Sequence, residues 1–391
     1  MTPGARTQAA IELLDGIVAS ANTGGAAADT LVARYFATRR YAGSKDRRAV
    51  RELVYAAIRR AGEVPVNGRA AMLGLTDVDP AVAAGFDGSP HAPAPIGADE
   101  PRAPTGTAPG WLEAALDASG VARDGWPALV DRAPLDLRVN TLRLDVEAAL
   151  AAIPDSARVA GVPDALRLPT GTAIERHPLF LGGGVEVQDA GSQLIALAAR
   201  AEPGMTVLDL CAGAGGKTLA LAAAMRGEGM LVACDVDRTR LSRLAPRAER
   251  AGAGAIVTRL LDPNREAEAL GDLVGRADVV LVDAPCSGTG TWRRNPEARW
   301  RLNPDRLARL VASQAHVRDV ARALVRPGGA MVYAVCSVLD GEGPDQVAPL
   351  VAEGWAPEPL PVGTPRGAGV RLTPAEHGTD GFFLARLRRP W

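Results

Sequence analysis

Two cysteines, each followed by serine, lie just past two apolar runs of strand character: Cys286 in DAPCSG at 283–288 and Cys336 in MVYAVCSV at 331–338. In an open α/β sheet, ligands bind beyond the carboxyl ends of the strands, so the two thiols would share one cleft if their strands are neighbours. A thiolate there can do covalent chemistry. The other cysteines are Cys211 and Cys234; no C-x-x-C spacing occurs, and His91, His177, His316 and His377 all stand far from them in sequence. Neither a zinc site nor a disulfide framework is therefore expected. Taken singly, each cysteine reads most simply as a buried packing residue, and Cys211 and Cys234 keep that reading. A redox pair is a third possibility for Cys286 and Cys336, but it leaves the next motif unexplained.

That motif is VLDLCAGAGGKT at 207–218, a strand, a glycine-rich turn and a helix start, with Asp235 closing the following strand LVACD. Gly213, Gly215 and Gly216 let backbone approach a ligand closely, and a helix N-terminus favours a negative group such as a carboxylate. Asp235 is placed to accept hydrogen bonds from ribose hydroxyls, so an adenosine-containing cofactor is expected. A P-loop would need glycine where Cys211 stands. A nicotinamide dehydrogenase would show G-x-G-x-x-G, whereas a strand ending in Asp209 before small residues suits a methyltransferase better. Asp262, after the third strand, is a candidate for the adenine amino group; its plainer reading is a helix N-cap followed by Pro263 in the first turn.

A methyl-donor pocket beside two thiols suggests a specific reaction. Carbon 5 of cytosine is a poor nucleophile, but thiolate attack on carbon 6 makes the ring an enamine able to take a methyl from a sulfonium. Nearby positive charge or hydrogen bonds must lower the thiol pKa. Asp283 could hydrogen-bond N3 and the exocyclic amine as charge builds there.

The elements that must position these groups follow from the patterning. The 391 residues exceed one compact core and imply two or three domains. Residues 5–60 are apolar at helical spacing, giving an all-helical N-terminal domain. Six prolines between 90 and 109 mark 85–110 as a flexible loop or linker. A small α+β module is expected from about 126 to 184. Beyond it, strands are expected at 206–210, 230–234, 255–258, 277–282 and 330–335, with GFFLARLRR as a last one; the helices between them imply a parallel sheet.

The net charge of −1 hides local bias. Residues 30–60 carry Arg34, Arg39, Arg40, Lys45, Arg47, Arg48, Arg51, Arg59 and Arg60, and the segment 286–326 repeats the pattern with Arg293, Arg294, Arg299 and Arg301 among others. Arginine forks suit phosphate, so a polyanion is a reasonable partner, with solvated helix faces as the alternative. The longest charge-free stretches, 16–28 and 327–339, are too short to span a bilayer, and Glu12 and Asp15 interrupt the N-terminal apolar run as no secretory segment would. A cytoplasmic protein is expected.

Several stretches together resemble the RNA cytosine-5 methyltransferases of the RsmB/NOL1/NOP2/Sun family: LRVNTLR at 137–143, VQDAGSQLIA at 187–196, LDLCAGAGGKT, DAPCSGTGTWRRNPEARW at 283–300, YAVCSVLDGEG at 333–343 and TPAEHGTDGFFLARLRR. The resemblance implies a class I methyltransferase Rossmann-like sheet over residues 185–391. It implies that S-adenosylmethionine is bound by Cys211, Ala212, Gly213, Ala214, Gly215, Gly216 and Lys217 with Asp235, Asp262 and Asp283. It further implies that Cys336 is the nucleophile and that Cys286 promotes product release. The family more often has alanine and proline where Gly213 and Ala214 stand, and threonine at Val335. RYAGSKDRRAVRELVYAAIRR at 40–60 resembles family members with a NusB-like helical domain, implying an RNA-binding role for residues 1–125 and ribosomal RNA as substrate. The expectation is a monomer acting on RNA, without metal or membrane. A DNA cytosine-5 methyltransferase would instead attack from Cys286, after Pro285, and a non-catalytic RNA-binding factor would keep the fold without turnover.

Overall fold

A computed structural model describes residues 1–391, the side chain of Ala267 excepted. The chain divides into two units: Met1–Asp131 with Thr291–Asn303, and Arg132–Gly290 with Pro304–Trp391.

The first unit is built on helices α1 (Pro3–Thr23), α2 (Ala28–Thr38), α3 (Ser44–Arg60) and α4 (Gly68–Leu75), followed by α5 (Gly110–Ala118) and α6 (Trp126–Val130). Thr2 caps α1 by accepting a hydrogen bond from the Ala5 amide at 3.1 Å. Leu14, Ile17, Val32, Phe36, Val50, Val54 and Ile58 fill one core, as the helical spacing requires. The proline-rich stretch is not a loose linker. Phe86, Ala103 and Ala108 are buried, the Ala103 amide donates to the Ala70 carbonyl at 3.0 Å, and Glu100 is ion-paired to Arg69. Proline removes backbone donors and forbids helix there, but side chains and a few amides still strap the segment down.

Residues 291–303 belong to this unit because their side chains are spent on it. Trp300 joins the helical core, and the guanidinium of the fully buried Arg299 donates to the carbonyls of Ile58 and Ala61 at 2.6 and 2.9 Å. Arg299 thus satisfies helix-end carbonyls and is unavailable to phosphate. Arg34, Arg40, Lys45, Arg48 and Arg51 remain exposed.

The second unit opens with a four-stranded antiparallel sheet, β1 (Leu135–Val139), β2 (Ala157–Arg158), β3 (Ala165–Leu168) and β4 (Val185–Val187), in the order β2-β3-β1-β4. The larger sheet holds β5 (Thr206–Asp209), β6 (Met230–Asp235), β7 (Ile256–Leu260), β8 (Ala277–Asp283), β9 (Val325–Val335), β10 (Ala356–Glu358), β11 (Thr364–Arg366), β12 (Gly369–Leu372) and β13 (Phe382–Arg388). Its order is β11-β12-β13-β9-β8-β5-β6-β7, with β10 on β13. Strands β9, β8, β5, β6 and β7 run parallel. The strand expected from GFFLARLRR is present but antiparallel to β9, so the sheet is mixed. Helices cover both faces of its parallel part, which is why ADVVLVD and AMVYAV read as nearly continuous apolar runs. Alternate residues feed two cores: Val279, Leu281, Val332 and Ala334 one side, and Val280, Val282, Met331, Tyr333 and Val335 the other.

Candidate active site

The site lies where β5, β6, β8 and β9 end. Pairing of Asp283 with Ala334 puts Cys286 and Cys336 three and two residues beyond the same rung of neighbouring parallel strands. Their Sγ atoms are 3.3 Å apart, at hydrogen-bond distance for sulfur. The two cysteine turns are also clamped by backbone: Gly290 donates to the Cys336 carbonyl at 3.0 Å, and its own carbonyl accepts from Gly381 at 2.8 Å. A Cβ at Gly290 would run into the Gly381 backbone, so only glycine allows the approach.

Beside the thiols, β5 passes through Leu210–Gly215 into a helix, Gly216–Ala224. Gly215 enters this helix at φ +86°, a conformation that suits glycine, and has no side chain to cap the first turn. That helix start can therefore accept a negative group from a ligand. Asp235 fixes the turn: one oxygen accepts from the Gly213 amide at 2.7 Å, the other from the Asp237 amide at 2.8 Å. Each oxygen keeps lone-pair capacity for a further donor.

Lys217, on the first turn of the helix, places Nζ 2.6 Å from Oδ2 of Asp283. Burial opposes its charge, but Asp283, through field and hydrogen bond, and then Cys336 raise its pKa and keep it an ammonium. Cys286 behaves oppositely. Its hydrogen bond with Cys336, then burial and the fields of Cys336 and Glu342, push its thiol well above the usual range. Cys286 is thus held as a neutral thiol. Burial pushes Cys234 up to about 12 and raises Cys211 as well, so both are inert packing thiols.

Asp209 is fully buried below the loop, with Oδ2 accepting from Thr218 at 2.7 Å and Oδ1 left without a hydrogen-bond partner. Burial, with the fields of Asp283 and Asp235, pushes it up to about 6 despite the Thr218 bond.

A cleft of about 740 Å³ opens onto the thiols, Asp235 and Asp283. Its walls include Cys211, Asp235, Leu261, Pro263, Glu266, Asp283, Pro285, Cys286, His316 and Cys336. Volumes of about 300–1,000 Å³ with mostly apolar walls and a few polar groups suit a cofactor-sized molecule. Asp262 is exposed, whereas its neighbours Leu261 and Pro263 line the cleft. Its expected capping role is not realised: the helix starts at Glu266, with Arg265 at the cap position, because Asn264 at φ +66° turns the chain first. The sequence reading missed two contributors. His316 and Glu266 form a 3.1 Å pair on the cleft wall, and Glu342 accepts hydrogen bonds from Ser287 and Ser337, the residues after both cysteines. An acid six residues past Cys336 carries no mark of burial in the sequence alone.

Parallel strands in this order, a glycine turn after the first strand and an acidic residue closing the second define a class I methyltransferase. Residues 195–388 match the model of the 16S rRNA methyltransferase RsmB/F family, and the chain belongs to that family. A probable ribosomal RNA small subunit methyltransferase B from Synechocystis is 35% identical over 269 residues, 65% of this chain and 60% of that protein. A ribosomal RNA small subunit methyltransferase B from Salmonella paratyphi C is 34% identical over 287 residues, 71% and 66% of the two chains. The match thus spans somewhat under two thirds of these relatives' own lengths. Among solved structures, that of PH0851 superposes with a TM-score of 0.78 at 23% identity, covering 100% of this chain and 99% of that one. A methyltransferase homolog from Pyrococcus horikoshii gives 0.61 at 26% identity over 72% and 99%.

Proposed function

We propose that the protein transfers a methyl group from S-adenosylmethionine to carbon 5 of a cytosine in RNA, with small-subunit ribosomal RNA as substrate. The observation that carries this reading is the 3.3 Å thiol pair at the ends of β8 and β9, opening into the same cleft as Cys211, Asp235 and Asp283. Covalent pyrimidine activation gives both thiols a task beside a methyl-donor pocket.

The cleft suits the donor chemically. Asp235 would hold the ribose hydroxyls, and the uncapped helix start at Gly216 would take the carboxylate. Bound S-adenosylmethionine supplies an electrophilic sulfonium methyl. Asp283, steadied by Lys217, accepts a hydrogen bond from the exocyclic amine, and from N3 once that nitrogen takes up a proton as charge builds on the ring. The Cys336 thiolate adds to carbon 6, which pushes an electron pair onto carbon 5, where the methyl is received. A base then takes the proton from carbon 5, the electron pair of that C–H bond re-forms the ring double bond, and Cys336 leaves with the electrons of its bond to carbon 6. Cys286, adjacent to the departing sulfur, assists that release. A base in folded RNA must be turned out to reach the thiol. The helical unit, read as NusB-like, would grip the RNA through Arg34, Arg40, Lys45, Arg48 and Arg51.

The test is incubation with labelled donor and in vitro transcribed small-subunit rRNA, followed by mapping of 5-methylcytosine. Label at carbon 5 supports the reading. Absence of transfer favours the non-catalytic binding factor, and transfer to DNA from Cys286 favours the other methyltransferase class.

A further inference from the structure

Glu342 lies just after β9 in a short turn, Asp340–Glu342, and is fully buried. A carboxylate in such a place requires several donors. Four converge on it. Oε1 accepts from the Ser287 amide at 2.8 Å and from Nε2 of Gln314 at 3.0 Å. Oε2 accepts from the hydroxyls of Ser337, at 2.5 Å, and of Ser287. Gln314 in turn donates to the Pro285 carbonyl at 2.9 Å, and the Tyr333 hydroxyl holds the Glu342 carbonyl at 2.9 Å.

These partners are not scattered. Pro285 and Ser287 flank Cys286, and Ser337 follows Cys336. The segments carrying the two thiols are therefore tied to the same carboxyl group. Thr289 adds a cross-link, 2.9 Å from the Ser337 hydroxyl. We propose that Glu342 is a positioning residue that locks the two cysteine turns together and so sets the geometry between Cys336 and Cys286. This rests on the two-thiol reading above for its catalytic meaning, but the geometry can be tested without RNA.

A trivalent arsenical such as phenylarsine oxide reads it directly. The reagent condenses with two neighbouring thiols, forming two As–S bonds and releasing one water, and it needs the sulfurs held close together. In the full-length protein, Glu342→Ala removes the four hydrogen bonds to the carboxylate and should slow capture by Cys286 and Cys336 about tenfold or more, as loss of bonds to a buried charged group implies. Glu342→Gln should restore most of the rate. The amide oxygen can keep the two N–H donors, while the serine hydroxyls turn round to accept from its NH₂. A merely structural role would not discriminate in this way. Methyl-donor affinity, read by calorimetry, should stay within about twofold in both variants because Glu342 is not among the residues lining the cleft. If Glu342→Ala does not fold, Ser337→Ala loses one hydroxyl tie and should slow capture in the same direction, about threefold. Capture unchanged in the folded Glu342→Ala or Ser337→Ala protein overturns the positioning role and leaves the two-thiol reading standing. That reading fails separately, if Cys336→Ala still forms a covalent adduct with RNA.

Discussion

Replacing Lys217 with methionine tests whether the charge beside the thiols matters. In the structure Nζ sits 2.6 Å from Asp283, with the lysine side chain 13% and the aspartate 29% exposed. Breaking a fully buried ion pair costs about 3–5 kcal/mol, because the abandoned charge stays desolvated. Water reaches Asp283 and screens part of that cost, so about 1–2 kcal/mol of folding stability is expected to be lost, measured by urea denaturation at pH 7. The loss arises because Asp283 then stands near Asp209 and Asp235 without its cation. The effect on chemistry should be larger. Lys217→Met frees Asp283 from its anchored position and removes positive charge from the neighbourhood of Cys336. Loss of one preorganised electrostatic contact typically costs about 10²–10³-fold in turnover. The assay is single-turnover methyl transfer to small-subunit rRNA with saturating donor, beside Lys217→Arg, which keeps the charge with different geometry and should recover part of the rate. A Lys217→Met protein with wild-type turnover would refute the role assigned to the pair.

Other perturbations probe the donor site and the buried acid. Asp235→Ala should weaken S-adenosylmethionine binding in calorimetry by about tenfold or more, since two amide ties and the ribose contact go together; unchanged affinity removes that contact. Asp209 ionises near pH 6 in the folded protein against about 3.9 when unfolded, so the fold loses stability as pH rises through that window. Asp209→Asn can keep the Thr218 bond without ionising. Measured without donor, its stability relative to wild type should improve by about 2–3 kcal/mol from pH 4 to pH 7, and a flat difference contradicts the assignment.

Much of the fold was legible because its signals are local. Apolar runs bounded by glycine and acid marked β5, β6, β8 and β9 and put Cys286 and Cys336 just past two strand ends; that β8 and β9 are neighbours comes from the sheet order. What escaped depends on partners distant in sequence. Strand direction at β13 is set by the antiparallel pairing of Phe383 with Val335, which an apolar run cannot report. The prolines of 85–110 looked like slack chain, yet Arg69 and Ala70 hold the strap. Arg299 has the sequence look of a phosphate ligand, but its guanidinium is spent on the carbonyls of Ala61 and Ile58, 238 and 241 residues away. Asp262 followed the capping pattern, but the backbone turn at Asn264 moved the helix start beyond it. Glu342 gave no signal, because one acid in LDGEG is indistinguishable from a solvated one.

The central claim is that the two thiols have different tasks, with Cys336 bonding the base and Cys286 releasing it. The most direct measurement is a denaturing gel of the protein incubated with S-adenosylmethionine and labelled small-subunit rRNA. Cys286→Ala should accumulate a covalent protein–RNA species and lose turnover, whereas Cys336→Ala should show neither adduct nor methyl transfer. An adduct formed by Cys336→Ala, or none formed by Cys286→Ala, would contradict the account.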